Sequence, residues 1–191
     1  MNINKSIILV GIKHCGKSTQ GKALALKLGV AFFDTDTVIE ELTGKSAREI
    51  YNTEGKDSFL SAEQTACRHL NSIIKSKPSV IATGGGICDN EEALRFLNTN
   101  SVFVYLCIDE ETAVKRILNE AKTDGEKITN VNSLPSYIAK KNPSTISDVR
   151  TFFHSFYTER TKKYEMLADF TIEQGTLSAD EITKKIESLL R

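Results

Sequence analysis

Short apolar runs rich in β-branched residues alternate along the chain with longer segments in which apolar residues recur at helical spacing. The runs predict strands and the periodic segments predict helices. The predicted strands span residues 6–10, 31–33, 79–83, 102–108 and 169–173. The predicted helices span residues 17–28, 37–43, 47–51, 59–74, 91–97, 110–121 and 149–167, and a last helix opens at a capping box of Ser178 and Glu181. Since strands that alternate with helices form parallel βαβ units, the pattern predicts a doubly wound α/β fold with a mostly parallel five-stranded sheet flanked by helices.

Helical and strand periodicity fades between residues 122 and 147, where polar residues surround Gly125, Pro135 and Pro143. A structureless stretch of that length inside a compact domain is typically a lid or a functional loop. We therefore expect a flexible lid over about residues 122–148. The sequence contains no internal repeat and no linker, which predicts a single domain over residues 1–191.

Composition excludes several classes of protein. Hydrophobic residues make up 40% of the 191 positions and charged residues 26%, which is typical of a folded chain rather than a disordered one. Lys and Arg number 25 and so do Asp and Glu, so no net charge attracts the protein to nucleic acid or to a membrane. The 4 cysteines lack the spacing of a zinc site, and no apolar run is long enough to cross a membrane. These features favour a cytoplasmic protein with free thiols.

A glycine-rich segment directly follows the first predicted strand and precedes the first predicted helix. Residues 11–18 read GIKHCGKS, which fits the GxxxxGK[ST] pattern of a phosphate-binding loop in the context that the pattern requires. Backbone N–H groups of such a loop point at phosphate oxygens, Lys17 reaches the β- and γ-phosphates, and the Ser18 hydroxyl binds Mg²⁺. His14 and Cys15 occupy variable positions and are expected to be exposed. The predicted ATP-binding residues of this P-loop NTPase type of fold are Gly11, Cys15, Gly16, Lys17, Ser18 and Thr19.

Asp34 and Asp36 stand at the end of the second predicted strand, on the ligand-binding edge of a doubly wound sheet. Residues two apart on an extended segment point the same way, so both carboxylates can face one site. One would then hold Mg²⁺ through water while the other accepts the proton of an attacking hydroxyl. Alternatively, Asp36 is the N-cap of the following helix. Gly84, Gly85 and Gly86 follow the third predicted strand, either as an irregular turn or as a wall that a ligand approaches closely.

Together these motifs resemble the shikimate kinase family. The resemblance rests on the phosphate loop at 11–18, on residues 34–36 (DTD) and on residues 83–86 (TGGG), in that order along the chain. Residues 55–63, with Gly, Phe and Glu at their family positions, and residues 160–169, which follow an R-x-x-x-Y-x-x-x-A-D pattern, are also similar to family motifs. The resemblance covers nearly the whole chain.

This resemblance implies ATP- and Mg²⁺-dependent phosphorylation of a small-molecule hydroxyl, namely of shikimate to shikimate 3-phosphate in aromatic amino-acid biosynthesis, by a monomer. It assigns Asp34 to the Mg²⁺ side and Asp36 to the acceptor hydroxyls as a base. Arg116 is assigned to the neighbourhood of the adenine and Arg160 to the substrate carboxylate. The implied catalytic residues are Lys17 and Asp36. The implied substrate-binding residues are Asp36, Gly84, Gly85, Gly86, Arg160 and Lys56, within and beyond a substrate-binding region at about 34–63.

Two positions depart from the family pattern. Leu60 stands where the family has a second carboxylate-binding arginine, and Lys56, one helical turn earlier, is the residue that can restore the charge, with Glu63 as its partner. Leu134 precedes Pro135 where the lid of the family carries an arginine. The candidate replacements for that arginine are Lys127, Lys140, Lys141 and Arg150.

The departures leave three functions open. The first is a shikimate kinase, and the second is a relative that takes another hydroxylated acid or a polyol, because Leu60 makes the pocket less cationic. The third is a non-catalytic nucleotide-binding module. Lys17, Ser18 and the two aspartates persist, which favours an enzyme, since a binding module has no use for a base. A nucleoside monophosphate kinase is disfavoured, because the substrate-binding region lacks the arginines that would hold an acceptor phosphate.

Overall fold

In this computed structural model, which describes residues 3–189, five strands form a parallel sheet at the centre of the molecule. The strands of the structure are β1 (Ser6–Val10), β2 (Ala31–Asp34), β3 (Ser79–Ala82), β4 (Ser101–Cys107), β5 (Lys122–Asp124), β6 (Lys127–Asn130) and β7 (Phe170–Glu173). The sheet has the order β2-β3-β1-β4-β7 with parallel pairing throughout, and β5 and β6 form a separate antiparallel hairpin. The fold class predicted from the sequence is confirmed.

Helices connect successive strands and pack against the sheet. They are α1 (Lys17–Leu28), α2 (Thr35–Thr43), α3 (Ala47–Thr53), α4 (Lys56–Ile74), α5 (Glu91–Leu97), α6 (Glu110–Glu120), α7 (Ser136–Ala139), α8 (Ile146–Leu167) and α9 (Ala179–Leu189). Strands β1 and β3 are buried along their whole length in the core that they share with the helices. Strands buried in this way consist of continuous apolar runs, which explains why the sequence predicts them closely. Every helix of the described residues is too short or too polar to cross a membrane.

The register of the sheet brings the carboxyl ends of three neighbouring strands to one edge. Leu9 of β1 and Asp34 of β2 both lie level with Ala82 of β3. The segment that follows each strand therefore starts at the same edge, which is where open α/β sheets bind ligands. The phosphate loop, the first turn of α2 and the three glycines after β3 meet there.

Capping residues decide where two of the helices begin. Thr145 caps α8 and forms a capping box with Asp148, so the helix begins at Ile146 rather than at residue 149. The capping box predicted for the last helix is confirmed, since the Ser178 N–H donates to Glu181 Oε2 at 2.8 Å and the Glu181 N–H donates to Ser178 Oγ at 3.3 Å. Apolar periodicity overlooks a first turn such as that of α8 because its capping residues are polar.

The stretch from residue 122 to 147 is not structureless, so that part of the sequence prediction is wrong. It contains the β5–β6 hairpin, a 3₁₀ turn at Val131–Ser133 and α7. Gly125 has a φ of 56° and is the first of the two residues that connect Asp124 to Lys127, a position in a tight hairpin turn where a positive φ favours glycine. The hairpin strands are polar and largely exposed, so they lack the alternation of apolar residues that identifies a strand in a sequence.

Candidate active site

The phosphate loop curls between β1 and α1 and is held by its own contacts. Gly11 has a φ of 143° and Gly16 a φ of 94°, values that a residue with a Cβ rarely adopts. A Cβ on Gly11 would lie 2.8 Å from Cys15 Sγ. Lys17 Nζ donates hydrogen bonds of 2.8 Å to the carbonyl oxygens of Gly11 and Ile12. The lysine thus stabilises the curl from within the loop.

The sequence analysis predicts that His14 and Cys15 are exposed, and this prediction is wrong. Cys15 is fully buried, and Gln174 Nε2 donates to its carbonyl oxygen at 2.8 Å. His14 is half-buried with a φ of 64°, and its Nδ1 lies 3.3 Å from Glu120 Oε1. Arg116 donates to the His14 carbonyl oxygen at 2.7 Å. The variable positions of the motif therefore anchor the loop to the surrounding helices and to the end of β7.

Asp34 and Asp36 have different structural roles. Asp34 is the N-cap of α2, because its Oδ1 accepts the Asp36 N–H at 3.0 Å, while its Oδ2 accepts the Ser18 hydroxyl at 2.6 Å. Asp36 lies in the first helical turn and is not the cap. Although Asp36 is exposed in the cavity, displacement of water by the surrounding protein, and next the charge of Asp34, raise the pKa of Asp36. A carboxylate with a raised pKa is a better proton acceptor near neutral pH.

The glycines after β3 allow other groups to approach the backbone closely. A Cβ on Gly84 would lie 3.1 Å from Asp36 Oδ1, and a Cβ on Gly85 would lie 2.6 Å from the backbone nitrogen of Lys13. The second distance is shorter than any carbon–nitrogen contact of real side chains. Of the two interpretations left open by the sequence, the geometry favours a wall against which functional groups are packed.

Two cavities meet at this edge of the sheet. The larger one, of about 740 Å³, follows the phosphate loop, and the smaller one, of about 210 Å³, lies beside the three glycines. The residues that line both cavities are Lys13, Asp36, Gly84 and Gly85. The predicted ATP-binding residues that line the larger cavity are Gly16, Lys17, Ser18, Thr19 and Arg116. Gly11 and Cys15, which belong to the same loop, are buried and do not line this cavity.

Arg160 of α8 reaches the smaller cavity beside Gly86. A Cβ on Gly86 would lie 3.2 Å from the guanidinium nitrogens. The guanidinium donates to the carbonyl oxygen of Gly85 and, at 2.6 Å, to Asp89 Oδ2, and it lies 4.0 Å from the centroid of the Phe156 ring. The ring face attracts the cation, so these contacts together fix the guanidinium in place.

Asp89 neutralises part of the positive charge around Arg160. Its second carboxylate oxygen accepts Lys163 Nζ at 2.8 Å. Burial alone would raise the pKa of Asp89, but the hydrogen bond from Lys163 and the charge of Arg160 lower it. The carboxylate is therefore ionised over the physiological pH range and orients both cations.

Lys56 and Leu60 lie outside the smaller cavity and line an adjoining groove of about 790 Å³. Glu63 is fully buried, and its Oε2 accepts Asn90 Nδ2 at 2.9 Å. The expected pair of Glu63 with Lys56 is therefore wrong. Burial raises the pKa of Glu63 to about 7.

The lid covers the smaller cavity with residues 135–137. Leu134, at the position of the family arginine, is fully buried in the core. Arg48 of α3 ties the lid to the cavity wall, because its guanidinium donates to the carbonyl oxygens of Asn132 and, at 2.7 Å, of Leu134.

The four candidate replacements for the lid arginine lie away from the two cavities. Lys140 and Lys141 lie over aromatic rings, and Arg150 Nη1 lies 2.5 Å from Glu111 Oε2. Lys127 is exposed at the start of β6. Within the described chain, these four side chains line neither the larger nor the smaller cavity.

Lys13 and Arg48 are cavity residues that the sequence analysis missed. Both line the smaller cavity, together with Arg160. Lys13 occupies a variable position of the phosphate loop, so its charge is the signal that could have drawn attention to it. Arg48 lies on the helix predicted at 47–51, and no motif marks it.

Known proteins resemble this chain over nearly its whole length. Residues 13–191 match the protein family described as Shikimate kinase. A curated shikimate kinase of Baumannia cicadellinicola subsp. Homalodisca coagulata is 31% identical over 186 residues, and one of Vibrio vulnificus (strain YJ016) is 32% identical over 187 residues. Each alignment covers 97% of this chain and 96% of the relative. The solved structure of shikimate kinase from Acinetobacter baumannii in complex with shikimate has a TM-score of 0.78 and 27% identity, and covers 97% of this chain and 92% of that one.

Proposed function

Because the chain belongs to the shikimate kinase family, we propose that it transfers the γ-phosphoryl group of ATP to a hydroxyl of shikimate. The matches to the family model and to the curated relatives confirm the family and the ATP-dependent kinase activity that the sequence predicts. The observation that carries the proposal is the position of Asp36, which lines both cavities. A phosphoryl donor in the larger cavity and an acceptor in the smaller one meet at this carboxylate.

ATP occupies the larger cavity in this proposal, with its phosphates on the loop at 11–18. The loop N–H groups and the N-terminus of α1 favour phosphate oxygens. Lys17 exchanges its hydrogen bonds with the Gly11 and Ile12 carbonyl oxygens for the β- and γ-phosphates. Arg116, which donates a hydrogen bond to the His14 carbonyl oxygen, lies on the side of the cavity that the adenine occupies in this proposal.

Ser18 and Asp34 offer the oxygen ligands that Mg²⁺ prefers. Ser18 Oγ and Asp34 Oδ2 lie 2.6 Å apart at the first turn of α1. Mg²⁺ in nucleotide sites usually keeps several waters and takes few protein ligands besides the phosphates, so this pair fits the ion. Ser18 would hold it directly and Asp34 through water, and the bound ion would neutralise charge on the β- and γ-phosphates.

Asp36 orients the acceptor hydroxyl and takes its proton as the oxygen attacks the γ-phosphorus. Its raised pKa suits it to that transfer. Gly84 keeps the carboxylate accessible, because a side chain at that position would lie against Oδ1. The three glycines form the wall along which the acceptor ring lies.

Arg160 binds the carboxylate of shikimate. Hydrogen bonds between charged groups contribute about 1.5–3 kcal/mol each, and a guanidinium can make two in parallel. Asp89 and the Gly85 carbonyl oxygen hold the guanidinium in place before the acceptor arrives. Lys56, from the adjoining groove, adds positive charge to the same side.

The lid at about 122–148 excludes water, which would otherwise compete with shikimate as the acceptor. With the phosphate loop at 11–18 and the substrate-binding region at about 34–63, it completes a single kinase domain. We propose that this domain acts as a monomer, since every group that the reaction requires comes from one chain.

Asp36→Asn tests the proposal by removing the base while keeping the size of the side chain. We expect turnover with shikimate to fall by about 10²-fold or more, since general base catalysis commonly contributes that much. Release of ADP, followed by a coupled assay, measures the loss. Asp180→Asn, which alters an exposed carboxylate on α9, is the matched control and should leave turnover unchanged. Turnover of Asp36→Asn equal to that of the wild type would remove the base from the mechanism.

The same assay with a panel of hydroxy acids and polyols tests the acceptor. Shikimate should give the highest kcat/KM of the panel. A higher value for another acid or a polyol would assign a different acceptor, and tight ATP binding without ADP release from any acceptor would indicate a non-catalytic module.

A further inference from the structure

Lys13 lies on the border between the two cavities. It belongs to the phosphate loop, and it lines both the cavity that follows the loop and the smaller cavity beside the glycines. The other residues on this border are Asp36, Gly84 and Gly85, so Lys13 is the cation of the border among the described residues. Lys13 therefore stands where the two cavities adjoin.

The backbone of Lys13 is held in place by the glycine wall. A Cβ on Gly85 would lie 2.6 Å from Lys13 N and 3.0 Å from Lys13 Cα, so the two segments are in direct contact. The loop cannot move toward the wall and would lose this packing if it moved away. The side chain of Lys13 therefore extends from a fixed backbone position at the edge of the smaller cavity.

The charge of Lys13 has no permanent partner. Within residues 3–189, its ammonium makes no side-chain hydrogen bond and lies within ion-pair distance of no carboxylate. The charged groups that act on it lie on four helices and are Arg48 of α3, Glu120 of α6, Asp36 of α2 and Lys17 of α1. Although the side chain is exposed in the cavity, displacement of water by the surrounding protein, and next the charge of Arg48, lower the pKa of Lys13. An anion in this place would relieve that repulsion.

The other cations near the border are engaged. Arg160 is bound to Asp89, and Arg48 is bound to the lid carbonyl oxygens of Asn132 and Leu134. In the lid, the position of the family arginine is occupied by Leu134, which is apolar and fully buried and supplies no positive charge. Among the described residues, Lys13 is thus the cation that lines both cavities and has no hydrogen-bonded side-chain partner.

We propose that Lys13 is a further catalytic residue, whose ammonium contacts the phosphoryl group while it moves from ATP to the acceptor. The inference rests on the proposed function. In this step the acceptor oxygen forms a bond to the γ-phosphorus as its proton passes to Asp36. The bond from the γ-phosphorus to the bridging oxygen breaks, and its electron pair remains on ADP. Lys13 stabilises the charge on the equatorial oxygens of the phosphoryl group, which is greatest in the transition state.

Lys13→Met tests this role, because it removes the charge and keeps an unbranched side chain. We expect kcat to fall by about 10²-fold, as for the loss of one preorganised charge-stabilising group. The KM values for ATP and for shikimate should change by less than about threefold, because the contact forms in the transition state. Lys13→Arg should recover part of the lost kcat, whereas Lys75→Met, at an exposed position that follows α4, should have no effect.

A binding measurement gives a readout apart from turnover. Calorimetry should find the same affinity of Lys13→Met and wild type for ADP. In the presence of aluminium fluoride, which forms with ADP a mimic of the planar phosphoryl group, the affinity of the variant should be weaker by a factor close to the loss in kcat. Circular dichroism and thermal unfolding check that the variant is folded.

The following results would overturn the proposal: turnover of Lys13→Met within threefold of wild type, a raised KM for ATP at unchanged kcat, or equal affinities of the two proteins for ADP with aluminium fluoride. An unfolded Lys13→Met would also overturn it, since the side chain would then be structural. If the wild type failed to phosphorylate shikimate, the acceptor assignment would be wrong. The titration with ADP and aluminium fluoride, which needs no acceptor, would then decide the role of Lys13 alone.

Discussion

The phosphate loop and the smaller cavity, which we propose binds the acceptor, share a border but are built in different ways. The loop is formed by neighbours in sequence, and Lys17 stabilises it through the carbonyl oxygens of Gly11 and Ile12. The smaller cavity is formed by residues far apart in sequence, such as Asp36, Arg48 and Arg160. Arg160 keeps a position that the family pattern marks, whereas its other cations, Lys13 and Arg48, stand at positions that no family motif marks. A local site depends on the identity of each residue, whereas a composite site can keep its charge when individual residues change.

Lys17→Met should have the largest effect and should separate the two lysines of the loop. The loss of Lys17 removes both the contact that we propose to the β- and γ-phosphates and the two hydrogen bonds that hold the curl. We expect kcat/KM for ATP to fall by about 10³-fold and the affinity for ADP to fall as well, unlike for Lys13→Met. Calorimetry with ADP measures the second effect. If Lys17→Met bound ADP as well as wild type, neither the phosphate contact nor the shape of the loop would depend on Lys17.

Glu63→Gln tests a buried titratable carboxyl group next to Gly84, which is part of the wall of the smaller cavity. Burial raises the pKa of Glu63 from 4.5 to about 7, so the folded protein retains a proton that the unfolded chain releases. The folded state consequently loses stability as the pH rises between these two values. Glutamine cannot ionise, so between pH 5 and pH 8 wild type should lose roughly 2 kcal/mol of unfolding free energy relative to Glu63→Gln.

Urea unfolding of both proteins at pH 5 and pH 8 measures this difference. Glu40→Gln, at an exposed position of α2, is the control and should follow the wild type. Parallel pH profiles of wild type and Glu63→Gln would show that the buried carboxyl does not titrate in this range.

Arg48→Met should have the smallest effect and concerns the lid. The change removes the hydrogen bonds from α3 to the carbonyl oxygens of Asn132 and Leu134. Because Arg48 is exposed, we expect local opening to increase by only about tenfold. Hydrogen exchange of the amides at 131–134 measures that change. Arg95→Met, which removes an exposed arginine of α5, is the control, and equal exchange in all three proteins would show that Arg48 does not hold the lid.

The sequence allows prediction of the fold and of the phosphate loop because both depend on contiguous residues. Continuous apolar runs identify β1 and β3, and the GxxxxGK[ST] pattern identifies Lys17 and Ser18. The sequence left open whether Asp36 is the N-cap of α2. Which residue caps the helix depends on where β2 ends, and the sequence does not mark that position. In the structure the strand extends to Asp34, and the helix begins one residue later.

Contacts between distant residues could not be predicted in this way. Glu63 is bonded to Asn90, which follows it by 27 positions, and Arg48 reaches Leu134, which lies 86 positions later. Neither pair has a motif, and the charge of Glu63 alone suggests the nearby Lys56 as its partner. The family resemblance indicated where cations are missing, and the folded chain was needed to find Lys13 and Arg48 beside the gap.

The border of Lys13, Asp36, Gly84 and Gly85 has a consequence for the design of inhibitors. The larger cavity, which we propose for the donor, and the smaller cavity, which we propose for the acceptor, are lined in common by these four residues and therefore adjoin directly. One compound could therefore join an adenosine-like half to a hydroxylated carboxylic acid through a spacer of phosphate length. Such a compound would engage both halves of the enzyme at once, and its selectivity over other nucleotide-binding proteins would come from the half that occupies the less common compartment.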